Sequence, residues 1–167
     1  MGAHVIVLGV PVLAGAMLLV VAGLEHLRAP DMLASAAGTG IAAARAIAVV
    51  ELAIGVPSVA AVVWGINELR WALAAQCLIY LAFAGHLMRR RHRGDKSDCG
   101  CSHMGTQVGP GGIARAIVLA ITTLGATALY PAAALPDGAG AGLLIACAIV
   151  LAVLLYTLPA AVDGRAT

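Results

Sequence analysis

Five long apolar runs leave this chain little choice of solvent. They cover about residues 5–24, 45–66, 71–88, 113–129 and 141–158. An α-helix rises ~1.5 Å per residue and a bilayer core is ~30 Å thick, so runs of this length suit membrane-spanning helices. A backbone inside lipid must satisfy its own hydrogen bonds, which favours helices over irregular chain. With 62% hydrophobic and 11% charged residues and a mean hydropathy of +0.99, the sequence is too poor in charge for a soluble domain. The expected fold is all-α, a single polytopic helical bundle over residues 1–167. The net charge of +2 is small and localised, which argues against a nucleic-acid partner. The first run lacks the features of a cleavable signal peptide.

The breaks between runs are equally telling. Pro11 is placed to kink the first run, and Glu25-His26-Leu27-Arg28-Ala29-Pro30-Asp31 ends it. Residues 32–44 are small and weakly amphipathic, and read as an interfacial segment or a short re-entrant turn. Asn67-Glu68-Leu69-Arg70 is short enough to force antiparallel neighbours, and Trp64 and Trp71 flank it as interfacial aromatics. A longer loop at 89–112 contains RRRHRGDKSDCGCSHM, and Gly109-Pro110-Gly111-Gly112 leads into the fourth run. Pro131, Pro136, Asp137 and Gly138 mark the last turn, and a short tail begins at Pro159.

Placing the 89–112 loop in the cytoplasm puts nine of the ten Lys and Arg inside: Arg28, Arg45, Arg89, Arg90, Arg91, Arg93, Lys96, Arg115 and Arg165. Only Arg70 remains outside. The expected location is therefore the cell (inner) membrane, with the N-terminus outside and the cysteine loop and C-terminus cytoplasmic. The basic run reads first as a topology anchor, and secondarily as a site for acidic lipids or a partner.

The loop also carries chemistry. Cys99 and Cys101 flank a glycine whose conformational freedom lets so close a pair approach disulfide distance. The small ring is strained, and strained exposed disulfides tend to exchange. Arg91, Arg93, Lys96 and His103 favour thiolates, whereas Asp95 and Asp98 oppose them. Asp98 disfavours the Cys99 thiolate and a protonated His103 favours that of Cys101. Cys101 is therefore the expected attacking thiolate and Cys99 the resolver. Zinc or copper handling by Cys99, Cys101 and His103, completed by His92 or His86, stays open as an alternative, although the spacing is not a standard zinc pattern.

Glu51 lies inside the second run, where a carboxylate is costly and marks function by default. It is a candidate proton handler together with His103. Its structural alternative is a partner such as Arg45 or a polar group on another span. Glu25, His26 and Arg28 read as interface residues able to snorkel. His86 reads as a hydrogen-bonded structural residue, and Cys77 and Cys147 as inert packing. No cofactor is evident; a quinone or a metal has no sequence support.

Three features together resemble the MauE family of methylamine-utilisation membrane proteins, within the broader DoxX-like superfamily. They are Ala22-Gly23-Leu24-Glu25-His26-Leu27-Arg28-Ala29-Pro30 at the end of the first run, Glu51 in the second, and the basic stretch leading into Cys99-Gly100-Cys101. The resemblance covers about residues 10–130. It implies a four-helix membrane bundle, to which the fifth span is an addition, and thiol–disulfide chemistry with a thioredoxin-like partner. A non-catalytic accessory subunit or assembly factor of a membrane oxidoreductase complex is the alternative. The chain departs from the family in having Ser102-His103 where an aromatic and a glycine are common, and His26 where a lysine is common. The charge pattern also places the cysteines on the side opposite to where exported disulfides mature.

Overall fold

The structure, a computed structural model, describes residues 8–94, 108–129 and 139–163. These residues are helical almost throughout, with no strand among them. Helix α1 spans Val10–Arg28, α2 Pro30–Ala37, α3 Ile41–Trp64, α4 Arg70–His92, α5 Pro110–Leu129 and α6 Ala139–Val162, with a 3₁₀ turn at Asn67–Leu69 before α4. All but α2 are long and apolar enough to cross a membrane. This is the expected all-α bundle, a multi-pass membrane protein. The helix bounds differ from the apolar runs by a few residues: α1 and α4 run on through Arg28 and the 89–92 stretch beyond the apolar core, whereas α3 starts earlier, at Ile41, and ends at Trp64.

The segment at 32–44 resolves into α2, which is too short to cross, and the start of α3. Pro30 sits in the first turn of α2, where its missing N–H costs nothing. Gly38, at φ +64°, ends it in the left-handed conformation that favours glycine. Only Ala34 of this helix is buried, and the helix lies against α3.

Helix α1 is the centre of the bundle and the most buried of the spans. It packs against α3 and α6 and also meets α5. Lipid offers no hydrophobic drive for helix association, so close approach of small residues must supply it. Gly23 and Gly55 do so: a Cβ on Gly23 would lie 2.8 Å from Leu52 Cγ, and one on Gly55 would lie 3.1 Å from Val20 N. Polar side chains tie the remaining contacts. Tyr80 donates to Gly15 O at 2.6 Å, and Gln76 Nε2 donates to Val12 O at 3.1 Å, joining α4 to α1.

The helices alternate in direction. The ends of α1, α4 and α6 and the starts of α3 and α5 therefore share one end of the bundle. This basic end carries Arg28, Arg45 and Arg89–Arg91. At the opposite end, Arg70 Nε donates to Thr127 O at 2.8 Å, linking the start of α4 to the end of α5.

Helix α6 continues through Pro159, where a tail was expected. Proline has no N–H for the carbonyl four residues earlier, and that carbonyl belongs to Leu155. Arg115 Nη1 fills the gap, donating to Leu155 O at 3.1 Å. One turn later, Asp163 accepts from the Gly111 and Gly112 N–H groups at 2.9 and 3.0 Å. Those groups belong to the first turn of α5, whose N–H donors lack partners within the helix. The carboxylate thus caps one helix from the end of another.

Candidate functional site

Glu51 finds its partner on α1. Its Oε2 accepts from His26 Nδ1 at 2.7 Å, with the two side chains 14% and 10% exposed. Among the two structural partners expected for it, Arg45 is exposed and the polar group on another span is the one observed. His26 is buried, not an interface residue as its neighbours Glu25 and Arg28 suggested. The reason is helical geometry: His26 follows Leu19 and Gly23 at intervals of four and three on the buried face of α1.

A cavity of about 70 Å³ opens beside this pair. It is lined by His26, Glu51, Tyr80, Phe83, Arg115 and Tyr156, with aliphatic residues of α1 and α4 between them. All five spanning helices contribute. Tyr80 presents its ring, since its hydroxyl is committed to Gly15 O. Tyr156 donates to Glu25 Oε1 at 2.8 Å, so α6 closes one wall. Arg115 is 9% exposed, and its bond to Leu155 O uses one of five N–H groups. Among the described residues no carboxylate pairs with it. The imidazole–carboxylate pair can hold and pass a proton, and the guanidinium can donate to an acceptor in the cavity.

Residues 3–130 match the family model described as methylamine utilisation protein MauE, more than three quarters of the chain. The chain belongs to the MauE family. No curated protein and no solved structure matches it. The MauE match takes in His26, Glu51, Tyr80, Phe83 and Arg115 but stops before α6. In this MauE protein, therefore, Tyr156 brings a cavity wall from outside the matched region.

Cys99, Cys101 and His103 lie outside the described residues. The chain on either side of them is placed. Val108 is buried with Leu87 and Ile113 in a small core cluster at the basic end, and Phe83 packs against that cluster. Phe83 also lines the cavity. His86 and His92 are exposed on α4. Cys77 is buried, its Sγ donating to Ala120 O at 3.4 Å, and Cys147 is exposed on α6. Among the described residues no group of three His, Cys, Asp or Glu could hold a metal.

Sequence reasoning counted Arg115 as a topology charge and passed over Tyr80 and Tyr156. A signal existed: the chain has three tyrosines, and two of them stand inside apolar spans.

Proposed function

We propose that this protein exchanges electrons between Cys99-Gly100-Cys101 and a thioredoxin-like partner in the membrane setting of the MauE family. One thiolate attacks the partner's disulfide, forming a mixed disulfide and releasing one partner thiolate. The second cysteine then displaces the other, leaving a Cys99–Cys101 disulfide and a partner dithiol. Run backwards, the same steps pass a disulfide to the partner. Glu51 and His103 handle the protons that thiols release and take up.

The observation that supports this reading is the placement of the first described residue after the cysteines. Val108, where the described chain resumes after it, belongs to the cluster that packs on Phe83, and Phe83 is a wall of the cavity holding the His26–Glu51 pair. A pair able to hold a proton, near the residue where the chain returns from the cysteines, supports a role in the proton transfers that accompany exchange.

The test is a trapping experiment. With Cys101 attacking, Cys99→Ser should accumulate a partner adduct that reducing agent releases, and Cys101→Ser should not. The reverse pattern would exchange the two roles. If neither variant forms an adduct with a thioredoxin-like protein present, the exchange reading fails. Full function in the double variant would then favour an accessory subunit, and stoichiometric zinc or copper lost in that variant would favour metal handling.

A further inference from the structure

We propose that the cavity beside Arg115 binds a small cluster of ordered waters, through which the His26–Glu51 pair exchanges its proton with the basic end of the bundle.

Size and lining decide the occupant. The cavity measures about 70 Å³. A water needs ~10–15 Å³ by this measure, so the space takes on the order of five waters. Titratable side chains line it from all five spanning helices: His26 on α1, Glu51 on α3, Tyr80 on α4, Arg115 on α5 and Tyr156 on α6. Two of them have hydrogen-bonding capacity to spare. Arg115 is nine-tenths buried, and its bond to Leu155 O leaves four of its five N–H groups without a partner among the described residues. Glu51 meets His26 through Oε2, and its Oε1 has no partner among the described residues. The guanidinium and the carboxylate do not come within 4 Å of each other. Opposite charges held apart in an apolar bundle are costly unless something polar lies between them. Waters serve both, accepting from Arg115 and donating to Glu51 Oε1. The groove of about 530 Å³ between α1, α3 and α6 is larger, but its apolar lining gives water nothing to bind.

The same waters give the proton a one-sided route. Towards the Arg70 end the space is closed. The Tyr80 hydroxyl is held by Gly15 O, and Gln76, one turn further, is fully buried with an Oε1 that nothing reaches. His26, Phe83 and Arg115 form the wall nearest the basic end. A proton entering there passes from water to water and comes to rest on the pair; release reverses these steps, and no electron moves. The water site stands whether or not the cysteines exchange, whereas the use made of its proton rests on the exchange reading.

X-ray radiolysis in ¹⁸O-water, on protein in phosphatidylcholine nanodiscs, tests the site, because radicals formed from bound water oxidise the side chains beside it. Tyr80 is buried, yet after correction for intrinsic reactivity it should be oxidised at least tenfold faster than the fully buried Leu13 and Leu73. Ala22→Leu fills the cavity from its wall and should lower Tyr80 oxidation at least fivefold, with exposed Trp64 unchanged. Arg115→Met should act in the same direction. If neither variant folds, the wild type decides: an unoxidised Tyr80 would overturn the hydrated site, and equal oxidation of Leu13 and Leu73 would overturn its closure towards the Arg70 end. Infrared spectra after a pH jump follow the proton itself, through the carboxyl band that Glu51→Gln removes. That band should respond at least tenfold more slowly in Ala22→Leu than in the wild type, and equal responses would overturn the waters as the route. The Cys99→Ser, Cys101→Ser double variant should match the wild type in both measurements, so failure of thiol exchange and failure of the water site are told apart.

Discussion

Tyr156 donates its hydroxyl to Glu25 Oε1 at 2.8 Å, across 131 residues of sequence. The acceptor belongs to the region that matches the family and the donor does not. The fifth span is thus tied to the basic end of the bundle by a polar contact as well as by packing. Tyr156→Phe keeps the ring and removes only the bond. It should cost about 1 kcal/mol in unfolding free energy, the usual net worth of one hydrogen bond. Denaturant titration in a fixed detergent measures this; no change would reduce the contact to coincidence.

The His26–Glu51 pair should respond asymmetrically to substitution. His26→Leu leaves a half-buried carboxylate without its partner and should destabilise by about 3 kcal/mol. His26→Lys places a donor facing Glu51 and should recover most of that loss, consistent with the lysine expected at this place from family resemblance. A double-mutant cycle with Glu51→Gln should return a coupling energy above ~1 kcal/mol. Additive effects would mean that the two side chains do not work as a unit.

Pro159→Ala should loosen Arg115. Alanine returns an N–H able to reach Leu155 O, so the guanidinium loses its exclusive hold on that carbonyl. The helix itself should become more stable by about 1 kcal/mol or more, because an interior proline gives way to the best helix former. Denaturant titration in detergent measures this; an unchanged midpoint would mean that the Arg115 bond already compensates fully for the missing N–H.

Asp163→Ala should unfasten α5 from α6 at the basic end. Two N–H groups in the first turn of α5 lose their acceptor, a loss of about 1–2 kcal/mol by the standard of helix caps. Hydrogen exchange at Gly111 and Gly112 should accelerate, with little change near Thr127. Uniform acceleration would point to global loosening instead.

The topology expected from the basic residues is checked with a membrane-impermeant thiol reagent. In reduced, intact cells Cys99 and Cys101 should stay unlabelled until the membrane is permeabilised. Prompt labelling would place the segment on the outer side and reverse the expected orientation. Cys77 is buried and Cys147 lies within the α6 span, so neither should react with an impermeant reagent, and a Cys147→Ala background checks this.

Much of the fold could be read directly from the chain, since apolar runs of bilayer length with polar breaks leave helices as the favoured solution. Glu51 was legible for the same reason, as a carboxylate that lipid cannot solvate. Its partner was not, because His26 sits two residues from Arg28 and looks like part of a polar helix end until the packing of α1 buries it. Arg115 was misweighed for a similar reason: charge counting sees a cation near a span end, whereas its burial depends on a carbonyl exposed by Pro159, 44 residues away. Asp163 lay in what looked like a tail. Contacts between distant helices leave no periodic trace in either partner, and that is where local reading stops.

The central position of α1 has a consequence for how the protein is made. Helix α1 leaves the ribosome first, yet the residues that surround it arrive later, Glu51 after 25 residues and Tyr156 after 131. At translation rates of ~5–20 residues per second, the last of them follows by on the order of ten seconds. During that interval His26 and Glu25 lack the partners they have in the finished bundle. The packing of the first span is therefore completed only when the last span arrives. Variants that weaken the contacts of the later helices should consequently reach lower levels in the membrane than the wild type.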